Sequence, residues 1–580
     1  MIFVGGRVYA PDHPGATAVV TDGGLISFVG SDEAARRSAR EQTEIDLRGR
    51  LLTPAFVDAH VHLIQTGQVM AGLGLHDVRS RDDAVQRVAA YARHHPEVQV
   101  IIGHGWDERA WPEPLPPTRT ELDRAAGGAA VYLARVDVHS AVVSSTLLDQ
   151  LPGVSKAIGY RADGLLTREA HHLCRGSLDR LFTDQQRRSA ARAALRAAAA
   201  QGVASVHELG GPHLGPIEDL TRVREVASEL GMGITSYWGE LATEPTIEWA
   251  QRAGVAGLAG DLCVDGAIGS RTASLREPYI DAETRGARYL TEQQIADHVI
   301  ACTRAGLQAG FHCIGDDAVA AAVSGLRRAA ATLGIRSIRA ARHRLEHVEM
   351  ISEADIATLA ELGVVASMQP AFDAAWGQPG ELYEQRLGPS RAHAMNRLGT
   401  LERSGVPLAF GTDTPVTPLT GWATVRAAVQ HWQPSERLSV ASAFDAATRG
   451  GHWAAFADNA GTIRVGAVAS LAAWDVGDAG LEGPAPLPRL DAGALPTCAA
   501  TISAGRLIFQ SEWPIFKAAR ASRLCPPTSS SFADDQACLL PRSSRTAARQ
   551  PGSARRCAIL PTLAASRLGR LGPCLGPSRL

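Results

Sequence analysis

The chain has 580 residues, of which 45% are hydrophobic and 20% are charged, and its formal net charge is -2. A chain of this length and composition can bury a large core, which argues against a fibrous or wholly disordered protein. The small net charge argues against a nucleic-acid or anionic-membrane partner, and the lack of a long apolar run argues against a membrane span.

Short β-strands are predicted at both ends of the chain. Residues 18–29 carry a hairpin signal around the turn Asp22-Gly23-Gly24. Strand-like runs return near the far end, at 471–475 and 500–509. We therefore predict one small β-sandwich domain assembled from residues 1–50 and 460–510.

The middle of the chain alternates short apolar runs with Ala- and Arg-rich stretches of helical spacing. The apolar runs are 51–57, 98–102, 130–133, 203–206, 307–311, 364–367 and 407–410. Repeated strand–helix alternation indicates an α/β fold with a parallel sheet, and at this length it favours a closed (β/α)₈ TIM-type barrel. We predict this barrel over residues 51–459, with an insertion over its mouth at about 76–200.

The last part of the chain differs in composition. Residues 514–580 contain eleven Lys and Arg, two acidic residues and four of the nine cysteines. This stretch lacks periodicity, so we predict a disordered Arg/Ser/Pro-rich tail over 511–580, with a tail for an anionic partner as the alternative. The scattered cysteines are typical of reduced thiols, and no signal peptide is indicated, so we expect a soluble cytoplasmic protein.

Two histidines stand at the end of a predicted barrel strand. His60 and His62 follow the apolar run 51–57. Side chains two residues apart on a strand point the same way, so both imidazoles can reach one metal ion. The carboxyl ends of barrel strands are also where active sites lie. The alternative is a pair of buried structural histidines.

Three further strand-end residues extend this pattern. His312 follows the run 307–311, His347 closes Arg344-Leu345-Glu346-His347, and Asp413 follows 409–412. Together with the first pair they form a set of nitrogen and oxygen ligands suited to Zn²⁺ or a similar cation. A carboxylate beside an activated water also supplies the base that hydrolysis needs.

These motifs resemble the amidohydrolase superfamily. Five further segments narrow the resemblance to the family-3 amidohydrolases, the branch that contains N-substituted formamide deformylase: 103–107, 265–273, 311–316, 344–347 and 411–416. The resemblance implies the barrel and terminal β-sandwich described above. It also implies hydrolysis of a non-peptide carbon–nitrogen bond, of an amide or a formamide-like small molecule, by metal-activated water.

The resemblance also implies the role of each residue in the metal site. His60, His62, His312 and His347 correspond to metal ligands, and Asp413 to a ligand that shuttles the proton. We expect Asp413 and His347 to be catalytic as well, with His347 or the metal stabilising the developing oxyanion.

One position departs from the family pattern. In much of the branch a carboxylated lysine that bridges two metals stands four residues before the Asp-Gly at Asp265 and Gly266, and here that position is Asp261. Aspartate is several bonds shorter, so it can leave one metal, support two, or bind through water. We include Asp261 among the metal ligands and leave one or two ions open.

Four residues are predicted to contact the substrate. His104 and Trp106 belong to the insertion and are expected to shape the pocket, with loop packing as the alternative. His139 follows an apolar strand and matches a substrate-side position of the branch. Arg271 can hold a carbonyl or carboxylate, or form a salt bridge within the fold.

Two alternatives to an amide hydrolase stay open. A deaminase would share this scaffold and differ in substrate, and a catalytically impaired relative would only bind a ligand. We expect a small-molecule substrate, no nucleic acid and no membrane. The sequence does not indicate the substrate, the metal or the oligomeric state.

Overall fold

The computed structural model describes residues 1–39, 42–477, 480–482, 486–491 and 493–511. The predicted tail over 511–580 lies, apart from Ser511, outside these residues. Within the described part, no single helix is long and apolar enough to cross a membrane.

The N-terminal segment forms one four-stranded sheet and contributes to a second sheet. Its elements are β1 Ile2–Val4, β2 Arg7–Val8, β3 Ala18–Asp22, β4 Leu25–Gly30, α1 Asp32–Ser38, β5 Glu44–Asp46 and β6 Leu51–Pro54. The first sheet has the order β4-β3-β1-β5. The predicted hairpin is present, since β3 and β4 pair antiparallel.

The first barrel strand follows directly, as β7 Phe56–Val61, and leads into α2 Leu63–Ala71. The sequence predicted one strand over 51–57, but the structure divides this stretch. Residues of β6 pair with the C-terminal part of the chain, whereas β7 pairs with a barrel strand. The strand that carries His60 therefore belongs to the barrel alone.

The insertion contains a separate five-stranded sheet. Its elements are β8 Leu73–Gly74, α3 Arg81–His94, β9 Val100–Trp106, α4 Arg119–Ala125, β10 Ala130–Arg135, β11 Ser140–Val143, α5 Ser145–Gln150, β12 Leu165–Thr167 and α6 Arg168–Ser177. The strand order is β12-β11-β10-β9-β8. The predicted apolar runs at 98–102 and 130–133 thus lie in this sheet and are not barrel strands.

The barrel continues with alternating strands and helices. Its first part comprises α7 Asp184–Ala200, β13 Val203–Gly210, α8 Glu218–Leu230, β14 Gly233–Trp238, α9 Glu244–Ala253, β15 Gly257–Leu258, α10 Glu292–Ala305 and β16 Gln308–Cys313. The caps explain several boundaries. Thr183 and Gln186 form a reciprocal capping box at the start of α7, and α10 ends at Gly306, whose φ of 71° favours glycine.

The second part of the barrel comprises α11 Asp316–Leu333, α12 Ile335–Ala341, β17 Arg344–His347, α13 Glu353–Leu362, β18 Val365–Met368, α14 Pro370–Trp376, α15 Leu382–Leu387, α16 Pro389–Ala392, α17 Leu398–Arg403, β19 Leu408–Phe410, α18 Gly421–Val429, α19 Val440–Asp445 and α20 Gly451–Ala454. All eight strands are parallel, in the order β19-β18-β17-β16-β15-β14-β13-β7. A parallel bridge between Val61 and Thr414 brings the two ends of the sheet together. The α/β TIM-type fold is thereby confirmed.

Three C-terminal strands complete the second small sheet: β20 Leu471–Asp475, β23 Thr497–Ser503 and β24 Arg506–Gln510. Between them, β21 Leu481–Glu482 and β22 Leu487–Pro488 pair with each other in a separate two-stranded sheet. The sheet order β2-β6-β20-β23-β24 joins both ends of the chain. One apolar core, including Phe3, Leu52 and Ile502, lies between the two small sheets.

An aromatic cluster fixes the start of the first barrel strand. The Phe56 ring makes edge contacts with Trp422 and Trp474, at centroid distances of 5.2 and 5.5 Å. Such pairs contribute about 0.5–1.5 kcal/mol each beyond the area they bury. Because Phe56 is held in this way at one end of β7, the two histidines at its other end have a defined position.

Candidate metal centre and substrate cavity

His60 and His62 meet at the carboxyl end of β7, as predicted. Both imidazoles are buried, and their Nε2 atoms lie 3.3 and 3.1 Å from the same oxygen, Oδ1 of Asp413. The backbone N–H of Asp413 donates to the carbonyl of His60 at 2.9 Å. The first and the last barrel strand therefore converge on one point.

The other ring nitrogen of three histidines is held by a fixed acceptor. The donor–acceptor pairs are His60 Nδ1 to Glu346 Oε2 at 3.0 Å, His62 Nδ1 to the Leu209 carbonyl at 2.9 Å, and His347 Nδ1 to Gln369 Oε1 at 2.7 Å. Such partners fix the tautomer and the ring orientation of metal-binding histidines. Each of the three rings is left with Nε2 as its available ligand atom.

Asp261 lies at the centre of the same group. Its Oδ1 is 3.5 Å from His60 Nε2, and its Oδ2 is 3.3 Å from His62 Nε2. The third neighbour is His312, whose Nδ1 lies 3.8 Å from Oδ1 of Asp261. The Nε2 of His312 donates to the Gly266 carbonyl at 3.4 Å, so this ring presents Nδ1 to the centre.

The segment around Asp261 is not a regular strand. The strand β15 ends at Leu258, and only an isolated bridge joins Cys263 to His312. The side chains of Asp261, Cys263 and Asp265 consequently have different neighbours. The Cys263 Sγ contacts His213, and Asp265 accepts N–H bonds from the loop after β16.

Opposite charges stabilise the ionised carboxylates. Burial raises the pKa of Asp413, but His60 and His62 outweigh it and hold this pKa well below its usual range. Burial lowers the pKa of His62, and Asp261 and Asp413 together raise it to about 9. Without a cation the site therefore attracts protons, and a divalent cation would replace them.

A buried ion pair between Arg344 and Glu346 lies next to the His60 ring. Arg344 and Glu346 are both fully buried on β17, and the Arg344 Nε donates to Glu346 at 2.5 Å. Burial raises the pKa of Glu346, but Arg344 and His60 lower it to about 2. Glu346 therefore remains a carboxylate and can accept the N–H of His60.

Two residues of the centre have left-handed backbone conformations. His347 has φ of 70° and Asp413 has φ of 53°. Non-glycine residues adopt this region rarely, at a cost of about 1–3 kcal/mol, and they do so most often at functional sites. Because of this backbone conformation, the two side chains point in directions that a regular strand would not give them.

The donor set fits a divalent cation. His60 Nε2 and Asp261 Oδ1 are buried without a hydrogen-bond partner, although polar atoms in this position normally have one. Two groups bring their ligand atoms within 4.8 Å of one another: His60, Asp261 and His347, and His60, His62 and Asp413. Imidazole and carboxylate ligands in this number suit Zn²⁺ and related ions.

A cavity with aromatic walls opens beside this centre. It encloses about 350 Å³ of space, part of it open to solvent. Its lining includes His139, His312, His347, Asp413, Ile268, Phe372, Trp376, Leu382, Tyr383 and Val416. We call it the aromatic cavity. A small apolar group placed here would lie against Asp413.

Comparison with known proteins agrees with this geometry. Residues 43–509 match the model of the amidohydrolase family, which is more than three quarters of the chain. The chain belongs to the amidohydrolase family. It is a metal-dependent hydrolase of carbon–nitrogen bonds.

Relatives of this amidohydrolase cover most of its length. Protein LONG AFTER FAR-RED 3 of Arabidopsis thaliana is 27% identical over 527 residues, covering 82% of this chain and 88% of the relative. YtcJ of Bacillus subtilis, named as a candidate amidohydrolase, is 26% identical over 74% of this chain and 83% of its own. A metal-dependent hydrolase from Pyrococcus furiosus is 25% identical, with a TM-score of 0.64 over 81% of this chain and 98% of that structure.

The structure places the four predicted substrate residues in different surroundings. His139 lines the aromatic cavity, 5.1 Å from the ring of His312. His104 lines a second cavity of the amidohydrolase, on the side of α2. The other two predicted residues line neither cavity.

Trp106 and Arg271 instead have partners within the fold. Trp106 packs in the core of the insertion, where its Nε1 donates to the Leu133 carbonyl at 2.9 Å. Arg271 forms the salt bridge that was the alternative, to Asp281 at 2.7 Å. Loop packing and fold-internal pairing account for these two residues.

The sequence did not single out several residues that support the amidohydrolase centre. Glu346 and Arg344 lie within the segment that ends at His347, and their alternation with Leu345 was a signal that both face the same side. Asp58 accepts from the backbone N–H and the hydroxyl of Thr412 at 2.9 and 2.6 Å, linking β7 to the loop after β19. Gln369 carried no comparable signal, because only the folded chain brings it to His347.

Proposed function

We propose that this amidohydrolase cleaves the amide or formamide bond of a small uncharged group held in the aromatic cavity. The supporting observation is the position of Asp413, which contacts His60 and His62 and also lines that cavity. A carboxylate in this position can act on both the attacking water and the leaving nitrogen.

We propose His60, His62, His347, Asp261 and Asp413 as the residues that would hold a divalent cation, most simply Zn²⁺, with His312 beside them. A cation bound there would act as a Lewis acid that polarises the carbonyl group and acidifies water. Both ligand groups share the single Nε2 atom of His60. One nitrogen lone pair binds one ion, so we propose one tightly bound cation per chain.

Asp413 is the proposed proton carrier. Its ionised carboxylate accepts a proton from the attacking water and then donates it to the leaving nitrogen. His139, whose pKa is lowered well below its usual range by burial and by His312, is neutral and can donate one N–H to the substrate. The aromatic side chains exclude bulk water from the reacting bond.

His347 is better suited to bind the cation than to stabilise an oxyanion. Burial and His312 lower the pKa of His347 to about 3. Its Nδ1–H is used by Gln369, whose own amide nitrogen donates to the Ser367 carbonyl at 3.5 Å. The remaining Nε2 therefore carries a lone pair and has no proton to donate.

We also propose a cytoplasmic location. The five cysteines among the described residues are free thiols, as is usual in reducing compartments.

Metal analysis combined with a substrate panel tests the proposed function. The full-length chain is purified gently, its content of Zn, Mn, Fe and Ni is measured, and formamides, N-acyl amines and aminopurines are assayed for hydrolysis. We expect about one cation per chain and turnover of formamides or N-acyl amines. Turnover of aminopurines alone would indicate a deaminase, and a metal-free chain without any turnover would indicate a ligand-binding relative.

A further inference from the structure

A second cavity is lined by residues that lie close in sequence to two of the metal ligands. It encloses about 570 Å³, part of it open to solvent, between helix α2, the insertion sheet and helix α6. Its walls include Ile64 and Gln65, which follow His62, and Pro415, which follows Asp413 by two residues. We call it the arginine cavity, because Arg175 and Arg187 line it.

Arg175 is a buried cation without a counter-charge. The residue is 8% exposed. Among the described residues none forms a hydrogen bond or an ion pair with its guanidinium group. The ionisable groups that sense its charge include Tyr132, His104 and His171, and none of these three is a carboxylate. Burying an unpaired charge is costly, so a bound anion is the expected partner.

The neighbouring polar groups add hydrogen-bonding capacity but no further uncompensated charge. Both ring nitrogens of His104 are buried without a partner. Burial, His76 and Arg175 together lower its pKa to about 3, so this ring is neutral and offers one donor and one acceptor. Arg187 is already paired with Asp219 at 2.6 Å, and its second amino group is unpartnered.

We propose that the arginine cavity binds a monocarboxylate group, with the Arg175 guanidinium as its counter-ion and with the one N–H of neutral His104 and the unpartnered amino group of Arg187 as further donors. The charge decides the class of ligand, since one uncompensated cation balances one negative charge and a phosphate monoester carries nearly two. Guanidinium and carboxylate also match in a bidentate geometry. The apolar walls, including Val69, Ile102 and Leu214, suit an aliphatic body.

This site also narrows the substrate class, a step that rests on the proposed function. The arginine cavity is lined by residues two and three positions after His62 and two positions after Asp413, and Asp413 itself lines the aromatic cavity. We therefore expect a substrate whose scissile amide joins a group in the aromatic cavity to a chain that ends in a carboxylate.

Binding of small carboxylates tests the site without any hydrolysis. Calorimetry on the full-length chain as purified compares butanoate with its neutral analogue butanamide and with butyl phosphate. The same titrations are made on Arg175→Gln, on Arg175→Lys, and on Arg196→Gln, a control on the exposed face of α7. Carboxylate binding at the metal itself would be equal in all four proteins.

We expect butanoate to bind best, and to bind about tenfold to a hundredfold more weakly to Arg175→Gln. Arg175→Lys should bind with intermediate affinity, and Arg196→Gln should equal the wild type. Without ligand, Arg175→Gln should unfold at the wild-type temperature or above it, because an unpaired buried charge has been removed. Equal butanoate binding by wild type and Arg175→Gln, preference for butyl phosphate, or a clearly lower unfolding temperature of Arg175→Gln would overturn the site.

A separate assay tests the substrate class. Formamides with a terminal carboxylate, in a series of increasing chain length, are compared with N-formylalkylamines of the same length. We expect a higher kcat/KM for one length of the acids, and we expect Arg175→Gln to reduce that preference towards equality. Butanoate binding that depends on Arg175, without hydrolysis of any formamide, would retain the carboxylate site and reject the proposed hydrolase activity. Hydrolysis without a preference for acids would retain the hydrolase activity and reject the inferred substrate class.

Discussion

The strand β17 and the segment around Asp261 both supply residues to the metal centre, but they do so in different ways. In β17, Arg344, Glu346 and His347 are buried, and each has a hydrogen-bond partner. Asp261 lies after β15 has ended, and its Oδ1 has no hydrogen-bond partner. The histidine rings are therefore oriented by hydrogen bonds within the protein, whereas Asp261 has an oxygen available to bind the cation.

Of the changes considered, removing Arg344 should have the largest effect, and it should act on the stability of the chain. Arg344→Met leaves Glu346 buried without its cation, and breaking a buried pair in this way costs about 3–5 kcal/mol. Chemical denaturation should show a loss of this size. Arg336→Met, at an exposed position on α12, is the control and should unfold like the wild type. A loss below about 1 kcal/mol would mean that β17 does not depend on the pair.

Removing the charge of Glu346 should weaken cation binding, and it should also lower stability because Arg344 is then buried without its counter-charge. Glu346→Gln keeps the shape of the side chain but no longer fixes the ring of His60 as a carboxylate does. Loss of such a partner lowers metal affinity about 10- to 100-fold. Competition with a chromophoric chelator measures this affinity, with exposed Glu353→Gln as the control. Unchanged affinity would show that the His60 ring needs no anchor.

These two predictions depend on residues that sequence reasoning found only in part. The histidines and Asp413 were predictable because strand ends of a barrel meet at one face, and their spacing placed them there. Gln369 was not predictable, because its role depends on how β18 lies against β17 rather than on a local pattern. For Trp106 and Arg271, motif similarity indicated only the segment, because the direction of a side chain depends on its packing.

Replacing Asp261 by lysine tests how many cations the segment around Asp261 supports. In Asp261→Lys a carboxylated lysine can reach a second cation, so metal content should rise from about one to about two per chain in bicarbonate-containing buffer. Asp261→Asn is the matched control and should not gain a cation. If the wild-type chain already holds two ions, Asp261 itself bridges them and the single-ion proposal is wrong.

Replacing Arg271 should have the smallest effect of these changes. Its bridge to Asp281 is partly exposed, and Asp281 also pairs with Arg386. Exposed pairs contribute about 0–1 kcal/mol to stability. Because Arg271 lines neither cavity, Arg271→Ala should leave KM unchanged within about twofold. Steady-state kinetics on the formamide substrate measures this. A tenfold increase in KM would restore Arg271 to the substrate site.

Titration of the metal-stripped full-length chain with Zn²⁺ tests the central claim most directly, with bound metal and formamide hydrolysis followed in the same samples. We expect hydrolysis to appear with the metal and to reach its maximum at about one equivalent. Asp413→Asn should bind Zn²⁺ with no hydrolysis. Full activity of the metal-stripped chain, or of Asp413→Asn, would contradict the account.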